Sequence, residues 1–236
     1  MKAFDCVRWK YLAKSLLIFG FGEAFCSWIK LLYDDIGSHI IVIGRLTSRI
    51  KLGRGVCRGC PLSPMLYVLS LEPLAAAIRR NPSIRGIPTF SDADRETIQL
   101  TCYADDMTSF VCDDVSFGEL DKQLSLYEEA SGAKLNRLKS VGLWLGQCAN
   151  RTDSPLEIKW QTTKLKIIGL FYCPSYYDSV RKNWSVAIQK LQNYLQKWTR
   201  RDLSIFGRAK VLNLHALTKI TIRHILSLCP KPHVVK

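Results

Sequence analysis

The stretch Thr97-Ile98-Gln99-Leu100-Thr101-Cys102-Tyr103-Ala104-Asp105-Asp106-Met107-Thr108-Ser109-Phe110-Val111 decides the fold. Its two short, largely apolar arms, residues 97–102 and 107–111, read as the strands of a hairpin. The four residues between them, Tyr103 to Asp106, form its tip. Adjacent aspartates repel one another, so a protein keeps such a pair at low cost only where a cation or solvent screens it. Mg2+ suits that place, because it takes a few carboxylates and keeps water and phosphate oxygens in its remaining positions. Asp-Asp is also ordinary turn chemistry. The chain carries two further such pairs, Asp34-Asp35 and Asp113-Asp114, so the dipeptide alone decides nothing.

Outward from this hairpin, Trp9, Leu12, Leu16 and Phe19 predict one amphipathic helix, and Phe25, Trp28, Ile29 and Leu32 a second, with Gly20 and Gly22 between them. Residues 39–43 and 47–52 predict a strand pair around Gly44. After the glycine-rich stretch 53–59, Ser63 as N-cap and Pro64 at the first helical position predict a helix to about Arg80, kinked at Pro73. Ser116 and Glu119 make a capping-box pattern for a helix that Gly132 ends. Strands follow over 140–145 and 164–172. A loop at 173–178 marks a domain boundary. Beyond it, Trp184, Ile188, Leu191, Leu195 and Trp198 predict one long helix, and residues 205–228 another.

Composition narrows the function classes. The 236 residues, 47% hydrophobic, suffice for a substantial core, and the longest apolar run contains Glu72 and Pro73 and is too short to span a bilayer. Nine scattered cysteines read as buried thiols in a reducing, intracellular compartment. Cys57 and Cys60 form a CxxC with no second pair at zinc-site spacing. The net charge of +14 is unevenly spread: residues 1–150 carry +2 and residues 151–236 carry +12. A basic segment interleaved with Trp184, Tyr194 and Trp198 suits a polyanion such as nucleic acid, or serves only as a solubilising face.

Taken in order, the motifs resemble the reverse transcriptases of non-LTR, LINE-type retrotransposons. Tyr103-Ala104-Asp105-Asp106 is similar to the catalytic turn of that family. Lys2-Ala3-Phe4-Asp5 with Val7 and Trp9 resembles the end of its first carboxylate motif. Gly55 to Pro64 (GVCRGCPLSP) with Glu72-Pro73-Leu74 resembles the segment that positions template and nucleotide. Ser131 to Asn136 with Lys139-Ser140 resembles the motif that follows, and residues 165–170 the strand near the primer end. Trp198, Arg201, Leu203, Ser204, Gly207, Arg208 and Asn213 match a pattern found beyond the palm.

The resemblance implies an α+β fold: a polymerase palm, an antiparallel sheet with helices on one face, over residues 1–173, followed by a basic helical thumb over 174–236. It implies RNA-directed DNA synthesis on an RNA template and a DNA primer from deoxynucleoside triphosphates, in the nucleus or cytoplasm, with two Mg2+ ions. Asp105 and Asp106 become the metal ligands and, with Lys139 beside the pyrophosphate, the catalytic residues. Phe4, Arg58, Gly59, Ser63 and Tyr103 become the nucleotide- and template-binding residues, with Phe4 excluding a 2′-hydroxyl by its bulk. Each has a plainer role open to it: Phe4 as a core aromatic, Ser63 as a helix cap, Lys139 as a solvated charge. The family carries another metal-binding aspartate in its first motif, upstream of the position of Met1, from which the chain alone is expected to be inactive. Asp5 reads instead as a cap for the following helix. Cys57-Arg58 stands where the family has Arg-Gln, which replaces a group that donates and accepts hydrogen bonds by one that only donates. The alternative to an enzyme is a non-catalytic remnant that binds nucleic acid.

Overall fold

Leucines four residues apart begin the core. Helix α1 (Trp9–Ile18) buries Leu12 and Leu16 with Ser15 between them, and helix α2 (Glu23–Leu32) turns Cys26 and Ile29 against it. With Val7, Tyr33, Val56, Leu66 and Tyr67 they form one apolar cluster. The apolar face of α2 is rotated from the expected one. Packing on α1 selects Cys26, Ile29 and Tyr33, whereas Trp28 and Leu32 lie 69% and 59% exposed. Arg8 and not Asp5 occupies the N-cap of α1.

The computed structural model describes residues 3–57, 59–88, 97–199 and 201–217, which fall in two units, Met1–Ser140 and Val141–Lys236. In the first unit the predicted strand pair around Gly44 is a hairpin in two segments. Strands β1 (Gly37–Ser38) and β2 (Ile41–Val42) return as β3 (Arg45–Leu46) and β4 (Ile50–Lys51). Its tip, Ile43-Gly44, has both φ angles positive, as a type I′ turn requires. Helix α3 (Ser63–Arg80) starts one residue earlier than predicted, with Leu62 at the N-cap and no side-chain cap. Ser63 is therefore the first helical residue and not the cap. The helix runs through Pro73 without a break.

Strand β5 (Ile87–Pro88) pairs with β6 (Thr97–Ile98), and β7 (Leu100–Tyr103) with β8 (Asp106–Ser109). Helix α4 (Asp114–Ser131) is capped by Asp113, whose carboxylate accepts the Ser116 N–H at 2.8 Å and also meets Arg85 at 2.9 Å. The capping pattern thus lies three residues before the Ser116–Glu119 box, because an ionised carboxylate is a stronger acceptor than a hydroxyl. Gly132, at φ +75°, ends the helix as expected.

In the second unit β9 (Val141–Leu143) runs parallel to β10 (Lys159–Gln161), and the rings of Trp144 and Trp160 stack 4.0 Å apart. The strand expected over 164–172 is a hairpin, β11 (Leu165–Ile167) and β12 (Leu170–Tyr172), turning at Ile168-Gly169. Helix α5 (Tyr176–Thr199) is the long helix expected through Trp184 and Trp198 and begins inside the predicted loop at 173–178; Asn183 fastens it to β12 by bonding both the N–H and the carbonyl of Phe171, at 2.8 and 2.7 Å. Ser204 caps α6 (Ile205–Val211), and a π-turn, Leu212–Leu217, follows. The rest of the helix predicted to 228 lies outside the described residues.

The class is α+β. Among the described residues the strands form six two-stranded pairs, five antiparallel and one parallel, in place of a continuous antiparallel sheet. The units divide at Ser140/Val141, upstream of the loop at 173–178, because β9 to β12 gather with α5. No helix among the described residues is long and apolar enough to cross a membrane.

Candidate active site

The register of β7 and β8 sets the tip of the hairpin. Tyr103 pairs with Asp106, which leaves Ala104 and Asp105 as a two-residue loop. Ala104 has φ +52° while Asp105 is not in the left-handed region, the pattern of a type II′ turn, in which glycine is the favoured first residue. Tyr103, Asp105 and Asp106 are exposed.

The structure separates the three aspartate pairs. Asp35 meets Arg49 and lies 3.3 Å from Lys51, and these two cations hold its carboxyl below the usual range. Asp113 caps α4. Among the described residues no ion pair engages Asp105 or Asp106. Two of the pairs are thus explained by local structure, and the third presents its carboxylates to solvent.

Below the turn lies an aromatic platform. Phe4 stacks on Tyr67 with ring centroids 4.5 Å apart and planes 16° from parallel. Tyr67 is buried, and its phenol is raised well above its ordinary value, first by that burial and then by Tyr127, Asp105, Cys6 and Cys102 around it. Asp105 therefore lies within electrostatic reach of Tyr67. The phenol of Tyr127 is pushed up to about 12, again by burial first and then by Tyr11. Both hydroxyls stay protonated at neutral pH, so they serve as neutral walls and not as bases.

Backbone pairing fixes Phe4. Its carbonyl accepts the Val56 N–H, and the Val7 carbonyl accepts the Gly55 N–H, each at 2.8 Å. The Trp9 indole N–H adds a bond of 2.7 Å to the Gly55 carbonyl. Gly55 sits at φ +91°, and a methyl there would lie 2.9 Å from the Asp5 Cα. Glycine is obligatory on both counts. Gly59, at φ +81°, faces open space, consistent with close approach of a ligand to its backbone.

The remaining predicted residues are not all gathered here. Ser63 is 1% exposed and faces Tyr33 and Cys60, a packing position. Lys139 is exposed on a turn closed by Asn136, and no hydrogen bond or ion pair among the described residues links its side chain to Asp105 or Asp106. Arg58 lies outside the described residues. Of the eight described cysteines only Cys6 and Cys26 are buried, so the expectation of buried thiols holds for those two alone; none of the eight is in a disulfide. Tyr67 is the residue that sequence reasoning missed. Its signal was its place four residues after Ser63, on the buried face of the helix that opens after the glycine-rich stretch.

The carboxylates offer hard oxygen donors in the exposed position that Mg2+ favours, so the donor set fits the ion in kind. In number it is two. Among the described residues no group of three or more acidic, histidine or cysteine side chains is placed to hold a metal ion.

Comparison with known proteins bears on the whole chain. The family model described as reverse transcriptase (RNA-dependent DNA polymerase) matches residues 1–171. The transposon TX1 uncharacterized 149 kDa protein of Xenopus laevis is 31% identical over 228 residues, covering 95% of this chain and 17% of that protein. The retrovirus-related Pol polyprotein from type-1 retrotransposable element R2 of Popillia japonica is 29% identical over 162 residues, covering 66% of this chain and 22% of that protein. The chain thus spans 17% and 22% of the lengths of these two relatives. An aspartate turn over an aromatic platform, inside a family match of this extent and with relatives of this kind, makes the chain a member of the reverse transcriptase family on its LINE-type, non-LTR branch.

Proposed function

We propose that the chain serves RNA-directed DNA synthesis, adding deoxynucleotides to a primer 3′-hydroxyl under the direction of an RNA template. Residues 1–173 act as the palm and 174–236 as a basic thumb. The carrying observation is the Asp105-Asp106 turn, free of the structural pairings that occupy the chain's other aspartate pairs and set by the Phe4–Tyr67 platform.

Asp105 and Asp106 hold Mg2+, which when bound supplies charge neutralisation for the attacking hydroxyl and the leaving pyrophosphate. Phe4, with its ring backed by Tyr67, presents a flat wall to the sugar of the incoming nucleotide and excludes a 2′-hydroxyl. Gly59 lets the backbone approach the substrate, and Arg58 and Ser63 belong with it to the nucleotide- and template-binding set. Tyr103 contacts nucleotide or template, Asp106 lies near the primer end, and Lys139 neutralises pyrophosphate from its exposed turn. This work belongs where element RNA meets DNA, in the nucleus or the cytoplasm.

A second reading has its own support. The second unit carries the +12 charge of residues 151–236, and the described carboxylates at the turn number two, so a chain that grips nucleic acid without extending it is the alternative. Primer extension on an RNA template separates them. Incorporation that Asp105→Asn reduces by more than the roughly 10- to 100-fold cost of altering a metal's outer-shell partner supports the polymerase. Salt-dependent binding with no incorporation, unchanged by Asp105→Asn, supports the binding protein.

A further inference from the structure

The hairpin tip at Ile43-Gly44 takes no part in the site described above, and its chemistry is at odds with its place. Ile43 is 99% exposed, and its neighbours Ile40, Ile41, Val42 and Leu46 are each between 53% and 70% exposed. Single exposed apolar residues are ordinary, but an unbroken run of four at a turn is not. The backbone adds a second anomaly. Ile43 has φ +50°, which a β-branched residue rarely adopts, and the first position of a type I′ turn favours asparagine. Neither burial nor turn chemistry accounts for isoleucine here.

The hairpin is stiff from base to tip. The Leu52 N–H donates to the Ile36 carbonyl at 2.8 Å and the Thr47 N–H to the Ile40 carbonyl at 2.9 Å, while the Ile40 N–H donates to the Thr47 hydroxyl at 3.0 Å. At the base Asp35 lies 2.9 Å from Arg49 and 3.3 Å from Lys51. Behind the tip Ile41 pairs with Leu46 and Val42 with Arg45, which puts an apolar pair on one face and a cation on the other. Arg45 is exposed, and no ion pair among the described residues engages it.

Charge selects the partner. Residues 37–51 hold three Lys/Arg and no Asp/Glu, so a second copy of the hairpin would bring like charge to like, whereas a polyanion complements it. In a member of the reverse transcriptase family that polyanion is nucleic acid. A stiff apolar projection beside an arginine has the composition of wedges that enter between base steps while cations hold the phosphates. We propose that this tip is a nucleic-acid wedge: Ile43 enters between neighbouring base pairs of a bound duplex and unstacks them, with Ile41 and Leu46 against the opened step and Arg45 on the adjoining phosphate. The wedge rests on nucleic acid as partner, which both readings of the function share, and not on synthesis.

The full chain is titrated into RNA–DNA hybrid duplexes that carry 2-aminopurine at each step in turn, a base whose emission rises on unstacking. We expect a rise at one step or at a few adjacent ones. Ile43→Asn should abolish it with a melting temperature no lower than that of the parent, since asparagine suits the turn, and Ile43→Gly, which meets the same φ, should do likewise. Neither change removes a cation, so the salt dependence of binding should hold, whereas Arg45→Gln should lower its slope by about one. No step that brightens, a rise that survives Ile43→Asn, or a slope unmoved by Arg45→Gln overturns the proposal. Dimers in sedimentation, or binding to vesicles of anionic phospholipid, that depend on Ile43 without any unstacking overturn it in favour of those partners. Primer extension is scored apart: incorporation without Ile43-dependent unstacking sinks the wedge alone, and unstacking without incorporation supports it.

Discussion

The ring of Phe4 lies flat on that of Tyr67, 4.5 Å between centroids. One residue comes from the segment before α1 and the other from near the start of α3, so the stack ties two distant parts of the chain within electrostatic reach of Asp105. An offset aromatic pair contributes about 0.5 to 1.5 kcal/mol beyond its buried area. Phe4 is only half-buried, so Phe4→Ala should cost about 2 kcal/mol, less than the roughly 3 to 5 of a fully enclosed ring. In single-nucleotide incorporation the same change should raise ribonucleotide use relative to deoxynucleotide use by about tenfold or more, the scale on which pocket size discriminates. Denaturant unfolding and the incorporation ratio check the two effects separately. A ratio that does not move removes Phe4 from sugar selection.

Gly55 offers a sharper test of the same pairing. Gly55→Ala places a methyl against the Asp5 backbone and demands φ +91° of an L-residue. The expected loss is about 2 kcal/mol or more, from the left-handed conformation and the contact together. Urea denaturation measures it. Gly53→Ala, with open space, no positive φ and a place outside any helix or strand, is the control and should change little.

Ala104 predicts a change of opposite sign. Its φ of +52° in the turn costs about 1 to 2 kcal/mol for a residue with a Cβ. Ala104→Gly removes that cost and gives back part of it as unfolded-chain entropy, about 0.5 to 1 kcal/mol. The variant should be as stable as the parent or more so, by up to about 1 kcal/mol in thermal or chemical unfolding.

The cap of α4 gives a pH dependence. The Ser116 backbone N–H first, then its side chain, with Arg85 contributing, hold the Asp113 carboxyl below the usual range. A carboxyl with a depressed folded-state value stabilises above its unfolded value, about 3.9, and that stabilisation disappears as pH falls through the folded value. Asp113→Ala should therefore cost about 1 kcal/mol at neutral pH. The gap should narrow below about pH 4, as the wild type loses the charge that the variant never had. Unfolding curves across that range decide it.

The hairpin was legible in sequence because its signals are local: two short apolar arms, a polar tip and a length that leaves two loop residues. Gly132 and the long α5 were legible for the same reason. The stack on Tyr67 was not. It depends on how α3 is rotated, and a helix with Leu66, Tyr67, Ser70, Leu71 and Leu74 all buried reads as core without saying which ring meets which. The rotated face of α2 failed similarly, since Trp28 and Ile29 are both apolar and only the partner helix chooses between them. Asp113 outcompeted Ser116 as a cap, a contest between neighbours that pattern matching leaves open. That no hydrogen bond or ion pair among the described residues joins Lys139 to the turn is tertiary information, absent from any local motif.

The N-terminal segment is bonded at both of its ends to parts of the chain made much later. Phe4 and Val7 pair with Val56 and Gly55, and the Arg8 N–H donates to the Ser131 carbonyl at 2.8 Å while its guanidinium bonds the Glu129 carbonyl. During synthesis Phe4, Val7 and Arg8 therefore wait, with these groups in water, until the end of α4 has emerged. The first unit closes as a late, single event rather than growing from its N-terminus, because loop closure over such a span precedes the contacts that reward it. A nascent chain that stalls before residue 131 exposes the apolar faces of α1 and α3, and it is at that stage, more than in the finished fold, that chaperone dependence is to be sought.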